Sequence, residues 1–250
     1  SKIKKSDHFY LIDGSGYIFR AYYALPPLSR KSDGLPTGAV SGFCSMLFKL
    51  LEDARADDSK EKPTHFAVIF DSARKNFRNE IYKEYKANRS EAPEDLAPQF
   101  EYIRKSVKAF NLPSIELLNY EADDLIATYA KQISNLGAKV TVISSDKDLM
   151  QLVSKDIRLF DPMKSKVIGE KEVIEKFGVK PSQVVDVQSL AGVSSDKDLM
   201  QLVSTKIRLF DPMKSKVIGE KEVFEKFGVK PNQVIDVQSL AGDSSDNIPG

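Results

Sequence analysis

Phe9-Tyr10-Leu11-Ile12-Asp13, Phe66-Ala67-Val68-Ile69-Phe70-Asp71 and Val140-Thr141-Val142-Ile143-Ser144-Ser145-Asp146 are three apolar runs that each lead into an acid. The runs are continuous rather than alternating, which is the pattern of strands buried on both faces of a parallel sheet. Helical spacing fills the gaps between them. Thr37 to Glu52 follows a Gly-Leu-Pro turn and carries Val40, Phe43, Leu47, Leu50 and Leu51 on one stripe. Pro98 to Phe110 repeats the spacing with Phe100, Ile103, Val107 and Phe110. Glu121 to Leu136 does so with Leu125, Ile126, Tyr129, Ile133 and Leu136, closing at Gly137 as a C-cap. Strand–helix alternation of this kind predicts an α/β fold, a mostly parallel central sheet flanked by helices. Further along, Leu149–Val153 reads as a helical turn, Ile157–Phe160 as a strand, and Pro181–Ala191 as a helix between its proline and Gly192. Arg55–Pro63 reads as a charged surface loop and Arg74–Pro98 as an exposed helical excursion.

The 250 residues suffice for one large domain or two small ones. With 37 basic and 36 acidic side chains the net charge is +1, so any nucleic-acid binding must come from local patterning. One cysteine excludes an internal disulfide framework, and with two histidines it cannot complete a Cys/His zinc site. The longest charge-free run, Gly34 to Phe48, is too short and too broken by glycine and proline for a membrane span. No signal peptide precedes the first strand, so a cytoplasmic location is expected.

Residues 144–193 and 194–243 align without a gap and are identical at 44 of 50 positions. The differences are Lys155/Thr205, Asp156/Lys206, Ile174/Phe224, Ser182/Asn232, Val185/Ile235 and Val193/Asp243. Repeats that stack as solenoids drift apart and keep only a pattern. This pair is close to a copy, a recent or artificial tandem duplication. The triplet Ser-Ser-Asp recurs at 144–146, 194–196 and 244–246, one repeat length apart, and marks the junction.

In an open parallel sheet, ligands bind outside the carboxyl ends of the strands. Asp13, Asp71 and Asp146 therefore point to one rim, joined by Asp148 and by Glu121, Asp123 and Asp124 at a helix start. A single acid after a strand is common, and acids in a first helical turn favour the helix dipole. The combination is not so easily dismissed. Two carboxylates about 4 Å apart repel by roughly 4 kcal/mol at an effective dielectric of about 20. Hard divalent cations such as Mg²⁺ or Mn²⁺ remove that penalty, and the same arrangement suits two-metal phosphoryl chemistry. A nucleotide-cofactor reading fails: Gly14-Ser15-Gly16 has Phe19 where the third glycine belongs, and no Gly-Lys-Ser/Thr loop is present.

From Arg74 to Arg89, Arg74, Lys75, Arg78, Lys83, Lys86 and Arg89 outnumber two acids, with Phe77, Tyr82 and Tyr85 interleaved. Cations neutralise phosphates and rings stack on unpaired bases, so this segment reads as a DNA clamp. Alone, it would read equally well as a solvated helix face. His8 and His65, at strand entrances, read as structural, and Cys44 as core.

These motifs have a family pattern. Leu11-Ile12-Asp13-Gly14-Ser15, Phe70-Asp71, Phe77-Arg78, Tyr85-Lys86-Ala87-Asn88-Arg89, Pro93-Glu94-Asp95-Leu96, Glu121-Ala122-Asp123-Asp124, Ser144-Ser145-Asp146-Lys147-Asp148 and Gly242-Asp243-Ser244-Ser245-Asp246-Asn247-Ile248-Pro249-Gly250 closely resemble the 5′-nuclease domain family of bacterial DNA polymerase I, in the flap endonuclease superfamily. The resemblance implies a PIN-like fold and cleavage of DNA at 5′ ends and 5′ flaps with Mg²⁺ or Mn²⁺, two or more ions. It also implies a role in repair and RNA-primer removal. By motif match, Asp13, Asp71, Glu121, Asp123, Asp124, Asp146 and Asp148 would be metal ligands, with Asp243 and Asp246 as the family's last acidic pair. Lys86 and Arg89 would stabilise the scissile phosphate, Tyr85 would position the substrate, and Arg20 would face it. The expected partners are 5′-ended or flapped DNA and RNA primer–DNA hybrids, bound by a monomer with no membrane partner.

Two features depart from the family. The sequence ends at Gly250, before the family's helix–turn–helix duplex grip and without a polymerase domain, so residues 1–250 are expected to form a single nuclease domain lacking that grip. The repeat also duplicates Asp146 and Asp148 as Asp196 and Asp198. The first pair directly follows a strand and is expected to hold the site. Two other readings follow: a catalytically impaired DNA-binding fragment, and a PIN-like ribonuclease, against which the Tyr-Lys-x-x-Arg and Gly-Asp-Ser-Ser-Asp elements count.

Overall fold

Leu11 and Ile12 are buried with no polar face to offer water, and the strand that carries them, β1 (His8–Asp13), is paired on both edges. The computed structural model describes residues 2–59, 61–73, 75–81, 83, 85–86, 91–186, 200, 203–205, 207–211, 216–234 and 236–237. Beside β1 lie β2 (His65–Ile69), β3 (Ser114–Ile115), β4 (Lys139–Ile143), β5 (Ile157–Asp161) and β6 (Lys166–Ile168). Among the described residues they form a six-stranded sheet in the order β3-β2-β1-β4-β5-β6. All pairs are parallel except the β5–β6 hairpin at the edge. From β1 the chain builds outward through β2 and β3, then returns to the other side of β1 to add β4. The strand order reverses there, and the carboxyl ends of β1, β2 and β4 are level: Asp13 pairs with Ile69, and Ile12 with Ile143. That reversal is where open α/β sheets form their ligand crevice.

The helices of this first unit are α1 (Gly14–Ala24), α2 (Gly38–Ala56), α3 (Phe77–Ile81), α4 (Gln99–Ala109) and α5 (Ala122–Asn135). Ile12, Phe43, Leu47, Val68, Phe70, Ile103, Val107 and Ile143 form one buried cluster. α1 meets α2 closely at Gly42, where a Cβ would stand 3.0 Å from that of Ala21. Gly137 closes α5 at φ +84°, as its spacing predicts.

The chain divides into two compact units, Ser1–Gly169 and Glu170–Gly250. The second holds α6 (Glu170–Phe177), a hairpin of β7 (Leu209–Asp211) and β8 (Lys216–Ile218), and α7 (Glu220–Phe227). Met200, Val203, Leu209, Val223 and Val234 form its apolar cluster. Their counterparts fifty positions earlier, Met150, Val153, Leu159, Val173 and Val184, are also buried. Both copies thus bury the same apolar set.

Several expectations shift. α2 runs to Ala56, so the charged loop starts later than Arg55. α1 was not predicted; the Asp13 cap makes the Gly14-Ser15-Gly16 stretch a helix start. The excursion 74–98 is not wholly exposed: Asn76 and Leu96 are buried, and among its described residues α3 is its one α-helix. Pro181 begins a 3-10 turn, and the chain is helical through Asp186; the rest of the predicted helix lies outside the described residues. Cys44 is half-buried rather than core. His8 is buried and structural, its ring between the Glu61 carbonyl (2.6 Å) and Thr141 Oγ1 (2.7 Å). Among the described residues no helix is long and apolar enough to cross a membrane.

Candidate active site

Asp13 ends β1 and caps α1. Its Oδ1 accepts the Gly16 N–H at 2.8 Å and its Oδ2 accepts the Ser144 hydroxyl at 2.7 Å. A Cβ at Gly16 would stand 2.5 Å from Oδ2, so only glycine allows this close cap. Burial pushes the Asp13 carboxyl up, the two donors oppose this, and Asp71 and Asp146 add to the rise. Ser144, itself buried, also accepts the Asp146 N–H at 3.0 Å, and Asp146 Oδ1 accepts the Asp148 N–H at 2.8 Å. One hydroxyl thus ties the end of β1 to the turn after β4.

Asp71 stands two residues beyond β2. Its N–H donates to Ser15 Oγ (3.0 Å), its Oδ1 accepts the N–H of Ala122 (2.7 Å), and its carbonyl accepts Arg104 Nη2 (3.1 Å). The end of β2 is thereby fixed to α1, α4 and the start of α5. At that start Asp124 accepts the Glu121 N–H at 3.0 Å and takes a two-pronged ion pair from Arg78 at 2.8 and 2.7 Å. The guanidinium holds the Asp124 carboxyl below its ordinary value.

Glu121 is the hub. Lys86 Nζ donates to both its oxygens at 2.8 Å, Asn76 Nδ2 to Oε1 at 2.6 Å, and the Tyr85 hydroxyl to Oε2 at 3.3 Å. Lys86 has a left-handed backbone, φ 55°, and its ammonium lies 5.1 Å from the Tyr85 ring centre. Asp123, one helical step on, is pushed up to about 7, first by burial and then by Asp13, Asp146 and Asp71, with Lys86 opposing.

These side chains line a cleft of about 510 Å³ at the carboxyl edge of the sheet. Asp13, Asp71, Glu121, Asp123, Asp124, Asp146 and Asp148, all predicted as a set, are brought together there with Tyr85, Lys86 and Arg78. A neighbouring cleft of about 720 Å³ shares Phe19, Asp71, Glu121, Tyr85 and Lys86 and adds Lys75, Lys83 and the apolar Phe70 and Phe100. Arg78 is engaged by Asp124 rather than open to a ligand. Arg20 is not among the described residues lining either cleft, and its buried Nη1 has no hydrogen-bond partner among them. Arg74, Arg89, Asp243 and Asp246, with Asp196 and Asp198 of the second copy, lie outside the described residues.

The donor set fits a hard divalent cation: oxygen ligands alone, with the Asp123 carboxyl pushed up to about 7 by burial and then by neighbouring carboxylates. Among the described residues no three such side chains stand close enough to hold an ion as they are. Protein donors on Asp13, Asp71 and Glu121 hold these carboxylates in separate places. Ser15, Ser144, Asn76 and Arg104 are site residues that sequence reasoning missed. For Asn76 the signal was there: Asn-x-x-Asn before a short amphipathic segment is a helix-start pattern. For Ser15 and Ser144 it was their place within the two strand-end motifs.

Comparison with known proteins agrees with this geometry. The family model described as 5′-3′ exonuclease, N-terminal resolvase-like domain, matches residues 8–178. DNA polymerase I of Rhizobium leguminosarum is 59% identical over 192 residues, covering 77% of this chain and 19% of that protein. A 5′-3′ exonuclease of Aquifex aeolicus is 43% identical over 183 residues, covering 73% and 61% respectively. The chain thus spans about a fifth of the polymerase and three fifths of the exonuclease. Among solved structures, the T5 5′-exonuclease with bound zinc matches with a TM-score of 0.59 at 22% identity, covering 95% of this chain and 82% of its own. A phage T5 flap endonuclease in a pseudo-enzyme–product complex with DNA and metal ions matches at 0.57 and 21%, covering 95% and 81%. These structural likenesses establish the fold, a PIN-like sheet flanked by helices. With more than half its length matched by the family model and its sheet matched by these structures, the chain belongs to the 5′-3′ exonuclease family.

Proposed function

We propose that this protein is a divalent-metal-dependent 5′-3′ exonuclease and 5′-flap endonuclease that hydrolyses DNA phosphodiester bonds in repair and RNA-primer removal. The observation that carries this reading is the convergence of seven carboxylates, Asp13, Asp71, Glu121, Asp123, Asp124, Asp146 and Asp148, on one cleft beside Lys86 and Tyr85. Those seven would hold Mg²⁺ or Mn²⁺, directly or through water, with Asp243 and Asp246 as further candidates. When bound, the ions would supply an activated water and charge stabilisation at the leaving oxygen.

The chain's own residues do the rest. Lys86 Nζ would face the charge that develops on the phosphate oxygens, assisted by Arg89. The Tyr85 ring, alongside the Lys86 ammonium, would stack on a splayed base and orient the strand. Lys75 and Lys83, in the adjoining cleft, would neutralise neighbouring phosphates. The Arg78–Asp124 pair would hold the clamp against α5. Asp124 would then serve both as a candidate ligand and as the anchor of that pair, since Arg78 engages both its oxygens.

A 5′-labelled flap duplex and a matched 3′-flap duplex, each incubated with the protein and Mg²⁺, test the reading. It predicts release of the 5′ flap and no release of the 3′ flap. Equal cutting of both, or of neither, would contradict it.

A further inference from the structure

Asn76 immediately precedes α3 and is buried, 4% exposed, although it is polar and sits in a charged segment. Each of its polar groups has a partner. The backbone N–H donates to Asn79 Oδ1 at 3.0 Å, the side-chain Oδ1 accepts the Arg78 N–H at 2.9 Å, and Nδ2 donates to Glu121 Oε1 at 2.6 Å. The amide has only one orientation here. The Arg78 N–H requires an oxygen and the Glu121 carboxylate requires a donor, so a flip would break both bonds. Asn79, the reciprocal partner, sends its own amide to the Tyr85 carbonyl at 3.0 Å, next to the left-handed Lys86. A non-glycine residue in that region persists only where its surroundings hold it.

We propose that Asn76 is a positioning residue: its amide fixes the Glu121 carboxylate in the orientation that Lys86 and a divalent cation both use. This rests on the proposed nuclease reading. Helix capping needs only the oxygen of the amide. The nitrogen is surplus to the cap and is directed 45 residues along the chain to the hub of the site. A charge-assisted bond to a buried carboxylate is among the stronger ones available, and partners of metal-binding carboxylates commonly set metal affinity.

Two substitutions in the full chain separate the roles. Asn76→Ser keeps an oxygen for the Arg78 N–H and removes the amide donor, whereas Asn76→Ala removes both. The readouts are kcat and KM on 5′-flap DNA, Mn²⁺ affinity by electron paramagnetic resonance, and the thermal midpoint. Both variants are expected to lose about ten- to a hundred-fold in kcat and in Mn²⁺ affinity, with KM for DNA within about twofold. The alanine variant, which also loses the cap, should melt earlier than the serine variant. A serine variant that matches the wild type in kcat and Mn²⁺ affinity overturns the proposal and leaves Asn76 as a helix cap. If the wild type leaves flap DNA uncut, the nuclease reading fails, and the Mn²⁺ affinities alone decide the role of Asn76. Weakening in both variants supports positioning, and unchanged affinity overturns it.

Discussion

Lys86 Nζ bonds both carboxylate oxygens of Glu121 at 2.8 Å, bridging the clamp segment and the start of α5. The pair is mostly shielded from water, and its geometry depends on a left-handed backbone at the lysine. Lys86→Ala should lower the single-turnover cutting rate about 10²- to 10³-fold, the usual cost of removing a donor aimed at developing charge, with KM for DNA nearly unchanged. An unchanged rate would take Lys86 out of the chemistry.

Ser144 links two carboxylates through one hydroxyl. Ser144→Ala leaves Asp13 Oδ2 without its donor and should destabilise the fold by about 1–3 kcal/mol. It should also weaken Mn²⁺ binding about ten- to a hundred-fold. Urea unfolding and Mn²⁺ titration of the same variant read the two effects. Wild-type values in both would mean that Asp13 is held by Gly16 alone.

Asp123 sets a pH dependence whose sign follows from its shift. Its folded-state value is raised from 3.8 to about 7. Below 3.8 both folded and unfolded chains carry the proton, and above about 7 neither does. In between, the folded state binds more protons, so stability in chelator should fall as pH rises through that window. Asp124, held low by Arg78, acts in the opposite sense: its contribution is lost as pH falls below the ordinary carboxylate range. Urea midpoints from pH 4 to 8 check this. Asp123→Asn should flatten the decline, and a wild-type midpoint that climbs from pH 4 to 7 would show that Asp123 does not dominate.

The repeat yields a separate prediction. The carboxylates from Asp13 to Asp148 all belong to the first unit, and residues 144–193 retain one complete copy of the repeat. Deleting 194–243 removes Asp243 with the second copy; if the first-unit carboxylates suffice for the metal, Mn²⁺ affinity should stay within about threefold of the full chain and Asp243 is no ligand. Loss of Mn²⁺ binding on deletion would assign a site role to the second copy.

How much of this was legible beforehand depended on whether the signal was local. The three strands were readable because continuous apolar runs suit only a doubly covered sheet, and their terminal acids came with them. α5 was readable from its apolar stripe and from Gly137. α1 was not, because a cap formed by Asp13 turns a glycine-rich stretch into a helix start. The pairing of Arg78 with Asp124, 46 residues away, has no local signature, so a cation assigned to DNA proved to be engaged within the protein. Asn76 escaped for the same reason: its cap is visible in sequence, but its bond to Glu121 exists only in the fold.

As proposed, the carboxylate cleft would work with divalent cations to cut DNA. The most direct test is single-turnover cleavage of a 5′-flap duplex by the full chain in Mg²⁺ and in chelator, alongside Asp71→Ala. Cutting is expected from the wild type in Mg²⁺ only, and none from Asp71→Ala although it still binds the duplex. Cutting that survives chelation, or that Asp71→Ala retains, would contradict it.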